Sequence, residues 1–113
     1  MQPQESATLL RIFVGEADRQ GHKPLYEAIV MKAREHGLAG ATVLRGLLGY
    51  GHSSVVHTAK MVELSGDLPM VVEIVDSEAN IESFLPVLDE MMSSGLVTLE
   101  KVRVLQYGLP NKR

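Results

Sequence analysis

The chain has no cysteine and no tryptophan, and only 2 phenylalanines and 3 tyrosines among 113 residues. Lack of cysteine excludes disulfides, thiol catalysis and cysteine-ligated zinc, and suits a reducing compartment. With an aromatic share of 4%, the core must be aliphatic. Positive charge is not in excess either: 11 basic against 14 acidic residues give a net charge of −3. That balance argues against a nucleic-acid partner, because such binding rests on neutralising phosphates. No apolar run approaches the roughly 20 residues that span a bilayer, and Met1-Gln2-Pro3-Gln4-Glu5-Ser6 lacks the basic start and apolar core of a secretory signal. A cytoplasmic protein is the expectation.

What is present is the composition of one globular domain: 45% hydrophobic and 22% charged residues. A single domain over residues 1–113, with an ordered core from about 8 to 107, fits this length. Thr8 to Val14 is a compact β-branched run and reads as the first strand. Pro24 opens an amphipathic helix with Leu25, Ala28, Ile29 and Ala33 on one face, which stops at Gly37. Residues 41–48 read as a second strand, and residues 49–68 as a long polar loop, of a length more often functional than incidental. Met70 to Val75 is the third strand. Ser77 is an N-cap for a helix striped by Ile81, Phe84, Leu85, Leu88, Met91 and Met92, running to Gly95 with a kink expected at Pro86. Leu96 to Leu105 is the last strand, and Tyr107 to Arg113 a loose tail.

The order βαββαβ predicts an α+β, ferredoxin-like sandwich: an antiparallel sheet with two helices on one face. If even-numbered strand residues face the helices, the odd set forms the other sheet face. That set comprises Leu9, Phe13, Val43, Leu47, Val71, Val75, Val97, Leu99 and Leu105, with Arg11, Arg45, Glu73, Lys101 and Arg103 among them. So apolar a face predicts an oligomer.

The densest local signal is Gly40-Ala41-Thr42-Val43-Leu44-Arg45-Gly46-Leu47-Leu48-Gly49-Tyr50-Gly51-His52, where glycines bracket a β-branched run and suggest a backbone-built binding edge. Together with Arg11-Ile12-Phe13-Val14-Gly15-Glu16, Lys23-Pro24-Leu25-Tyr26-Glu27, Leu64-Ser65-Gly66-Asp67-Leu68-Pro69 and Val72-Glu73-Ile74-Val75-Asp76, it resembles a small PII-like family of uncharacterised function. More distantly, Gly37-x-x-Gly40-x-Thr42-Val43 and Gly49-Tyr50-Gly51 resemble the nitrogen-regulatory PII proteins. The resemblance implies a homotrimer with its sheets packed inward and an adenine nucleotide in each cleft between subunits. It also implies a mobile loop read by a partner protein of unknown identity, a membrane transporter or channel being one candidate. Carried over residue by residue, Gly40, Ala41 and Thr42 contact base and ribose, Gly49 and Gly51 contact phosphate through the backbone, and Lys101 and Arg103 match a region that supplies cations. The chain departs from PII proteins after the second helix. Ser93-Ser94-Gly95 runs straight into the strand where those proteins carry a glycine- and lysine-rich phosphate loop, so AMP or ADP is expected over ATP.

Two readings stay open at several positions. Arg45 is a bidentate phosphate clamp or an ion-pair partner of Glu73. His52, beside Gly51, is a phosphate donor; with His57 and Glu63 or Asp67 it is alternatively part of a divalent-metal site, as in the cation-tolerance trimers that share this fold. No metal is assigned, and solvent exposure is the favoured reading of the loop histidines and of Lys60, whose alternative is contact with a nucleotide phosphate or a partner. Glu16, Asp18 and Glu90 form no paired-carboxylate arrangement, and no nucleophile elbow, P-loop or zinc-protease motif occurs. No catalytic residue and no required cofactor is expected; the chain reads as a binding protein, not an enzyme.

Overall fold

A computed structural model describes residues 5–51, 55–59 and 67–108. Strand β1 (Glu5–Gly15) is followed by the short pair β2 (Arg19–Gln20) and β3 (Lys23–Pro24), then helix α1 (Leu25–Glu35) and β4 (Thr42–Arg45). A second short pair, β5 (Leu48–Gly49) and β6 (His57–Thr58), precedes β7 (Pro69–Asp76), helix α2 (Glu78–Met91) and β8 (Leu96–Val104). The main sheet has the order β4-β7-β1-β8, with all neighbours antiparallel. Without the two short pairs this is βαββαβ with the first and third strands central, the ferredoxin-like α+β arrangement expected from the sequence.

The core lies between this sheet and the two helices. Leu10, Ile12 and Val14 of β1 and Met70, Val72 and Ile74 of β7 are buried against Ile29 and Ala33 of α1 and Ile81, Phe84 and Leu88 of α2. Helix α1 ends as its sequence predicts. Gly37 has φ +88°, Leu38 N–H donates to the Ala33 carbonyl at 3.1 Å and Gly37 N–H to that of Arg34 at 3.1 Å, a Schellman closure. Ser77 caps α2, its Oγ accepting from Asn80 N–H at 3.2 Å. The helix continues through Pro86 to Met91 and stops there, short of Gly95, which instead opens β8 at φ +124°.

Two expectations change. The strand foreseen over 41–48 breaks after Arg45. The next ladder position pairs Gly46 with Pro69, which accepts from Gly46 N–H at 2.7 Å but has no N–H to return. Leu48 and Gly49 then pair with Thr58 and His57, and Ala59 N–H donates to the Leu47 carbonyl at 2.7 Å, so part of the foreseen loop is a hairpin.

The second change concerns faces. Residues directly opposite in an antiparallel pair share a face. Val43 is paired with the buried Val72 and Leu99 with the buried Leu10, so both stand on the helix side. The same register puts Val97, Lys101 and Arg103 of β8, and Arg45 of β4, on that side. The outer face is built instead from Ala7, Leu9, Phe13, Val71 and Val75 with the even-numbered Leu44, Leu96, Val102 and Val104. At its centre Arg11 Nε lies 2.8 Å from Glu73, and Nη1 3.7 Å from Glu100.

Candidate functional site

Gly40 and Ala41 lead into β4, which begins at Thr42, and two side chains from distant elements hold the backbone of the residue before them, Ala39. Ala39 N–H donates to Asp76 Oδ2 at 2.8 Å, and Tyr107 Oη–H donates to the Ala39 carbonyl at 2.9 Å. The start of the expected loose tail is therefore tied across the end of the sheet. Asp76 also accepts from Ser77 N–H at 2.7 Å and from the Asn80 amide at 2.9 Å. Burial pushes its carboxyl upward, but the hydrogen bonds from Asn80, Ser77 and Ala39 outweigh that and hold it below the usual carboxylate range. A cavity of about 710 Å³ opens here, lined by Ala39, Asp76, Ser77, Arg103 and Tyr107 over an apolar floor that includes Val75.

Arg45, Gly49 and Gly51 lie at the other end of β4. Arg45 does not pair with Glu73, which is taken by Arg11; its Nη2 sits 3.0 and 3.1 Å from the two carboxylate oxygens of Glu16. Glu16 in turn exchanges backbone and side-chain contacts with Leu68, its N–H donating to the Leu68 carbonyl at 2.8 Å and its Oε1 lying 3.4 Å from Leu68 N. Next to this pair, Asp67 Oδ1 accepts from Ala17 N–H at 2.8 Å, and His57 Nε2 stands 3.9 Å from Asp67 Oδ2. A Cβ on Gly49 would meet the Pro69 ring at 3.1 Å, whereas one on Gly40 or Gly51 would meet no described residue within 4 Å. His52, Lys60 and Glu63 lie outside the described residues. Among those described, no group of three His, Cys, Asp or Glu side chains comes together, so the His57–Asp67 pair is joined by no third described metal donor.

Lys101 and Arg103 stand on β8, the sheet edge opposite β4. Arg103 pairs with Ser6, while Arg45 is in line with Met70 and Val14. At 3.3 Å per residue, these two rows are about 26 Å apart along β1, with the width of the sheet besides. One copy of the chain therefore brings Arg103 to the cavity beside Ala39 but does not bring Arg45 and Arg103 to one small ligand. Sequence reasoning missed Asp76, Tyr107 and Glu16 at these places. Only Asp76 had a local signal, standing one residue before the Ser77 cap and four before Asn80.

The topology places the chain among α+β proteins of the ferredoxin-like fold. Residues 7–104 match the DUF190 family, described as an uncharacterized ACR, and the chain belongs to that family. It is 42% identical over 97 residues to a UPF0166 protein of Aquifex aeolicus, covering 86% of this chain and 91% of that one. A UPF0166 protein of Methanocaldococcus jannaschii is 34% identical over 99 residues, covering 87% and 91%. Among solved structures, CPII from Thiomonas intermedia K12, a nitrogen regulatory PII-like protein bound to ADP, AMP and bicarbonate, superposes with a TM-score of 0.60 at 18% identity over 90% of this chain and 91% of that one. A second CPII structure, bound to ADP and bicarbonate, gives a TM-score of 0.57 at 21% identity, again over 90% and 91%. These are likenesses of fold.

Proposed function

We propose that this chain is a non-enzymatic regulatory protein of the cytoplasm that binds an adenine nucleotide, AMP or ADP ahead of ATP, in clefts between copies of itself. A homotrimer with the outer sheet faces packed inward gives each cleft the β4 edge of one copy and the β8 edge of the next. The observation that supports this is the separation of Arg45 from Lys101 and Arg103 on opposite edges, which a neighbouring copy in such a trimer would bring together around one ligand. Arg45, Gly49, Gly51 and His52 then attend the phosphates from one side and Lys101 and Arg103 from the other, with Gly40, Ala41 and Thr42 at the base and ribose. CPII, whose fold is similar, has been solved with ADP and AMP bound, which supports this ligand class.

Occupancy is read out through the segment that begins at β5. Leu47 and Tyr50 are 75% and 71% exposed, and Leu48, Val55 and Val56 are also exposed, an apolar tip suited to a partner protein. A ligand at the base of this segment shifts its population only by binding one arrangement more tightly than another. The test is a thermal-shift panel of AMP, ADP, ATP and divalent metals. A nucleotide at ten times its Kd raises stability by about 1.4 kcal/mol, or roughly 5 °C in a domain of this size. AMP or ADP is expected to give that shift in the wild type and none in Arg45→Ala. A panel in which only metals stabilise overturns the proposal in favour of a cation-binding trimer.

A further inference from the structure

Arg45 is engaged by a carboxylate of its own chain. Its Nη2 alone meets both carboxylate oxygens of Glu16, at 3.0 and 3.1 Å, and the Glu16 side chain is only 24% exposed against 50% for Arg45. Glu16 is held in turn by Leu68, a fully buried residue at the entry to β7. The turn after β1, the end of β4 and the far end of the segment from β5 to β7 therefore meet at one ion pair.

We propose that Glu16 is an internal stand-in for the ligand's anion: it pairs with Arg45 within the chain, and a phosphate reaching Arg45 competes with it. The inference rests on the nucleotide reading above. A phosphate brought to Arg45 finds Nη2 already taken and the Glu16 carboxylate, only 24% exposed, beside it, so like-charge repulsion sets the two anions in competition. The incoming anion takes Arg45, and Glu16 withdraws. Its Oε1 then leaves Leu68 N–H, loosening the clasp at the point where the long segment rejoins the sheet. Glu16 thereby lowers affinity and passes occupancy to both ends of that segment.

Glu16→Gln keeps the side-chain length and the acceptor for Leu68 N–H while removing the charge. Titrated with AMP and ADP by calorimetry, this variant is expected to bind about fivefold more tightly than the wild type, the upper range for a partly exposed ion pair. Glu16→Ala carries the same expectation if the glutamine variant fails to fold. If the wild type binds and both Glu16 variants bind equally or more weakly, Glu16 positions Arg45 rather than competing for it; the competition is then overturned while the nucleotide reading stands. If neither wild type nor variants bind AMP or ADP, both fall.

Discussion

Asp76 accepts three hydrogen bonds, from Ala39, Ser77 and Asn80, and so ties the approach to β4 to the first turn of α2. Because its carboxyl is held below the usual range in the fold, the ionised form is favoured there relative to the unfolded chain. That stabilisation is fully present above the ordinary carboxylate value of about 4 and is lost as pH falls through the lower folded value. Asp76→Asn is expected to cost about 1 kcal/mol at pH 7. In chemical denaturation from pH 7 to pH 3, the gap between wild type and variant should narrow as the acid end is reached; a constant gap contradicts this role. The sequence made the Ser77 cap legible because a cap is local. It did not reveal that Asp76 also holds Ala39, nor that Arg45 pairs with Glu16 rather than Glu73, because both contacts join distant segments whose register no local pattern records.

At the scale of elements, the two helices and the central strands were legible because their apolar spacing is periodic and their caps are local. Ladder register was not. Within one strand alternate residues share a face, but which parity faces the core is reset by each connection, and β4 and β8 both take the parity opposite to β1 and β7. That reset moves Arg45, Lys101 and Arg103 off the outer face and onto the helix side, where they are available at the edges. The entry to β8 is similarly set by contacts. A Cβ on Gly95, already at φ +124°, would lie 2.7 Å from the Phe13 carbonyl oxygen and from the Met92 methyl. Gly95→Ala is expected to cost about 2–3 kcal/mol from strain and overpacking. Gly40→Ala, whose Cβ would meet no described residue within 4 Å, should stay within about 0.5 kcal/mol. Urea unfolding of the two variants side by side measures the contrast, and equal costs would contradict the close-packed β8 entry.

At the scale of the whole molecule, the sheet presents an apolar outer face with an Arg11–Glu73–Glu100 cluster at its centre, and its two free edges carry complementary halves of the proposed site. Both features are accounted for by one assembly of copies. The most direct measurement of this claim is complementation between two variants, Arg45→Ala and Arg103→Ala, each impaired alone in AMP and ADP binding. If the proposed trimer holds, then after the two are unfolded together and refolded every mixed trimer contains one cleft in which an intact β4 edge faces an intact β8 edge. The account predicts that calorimetry on the mixture recovers wild-type affinity at a fraction of the sites. A mixture that binds no better than its parents contradicts a site shared between copies.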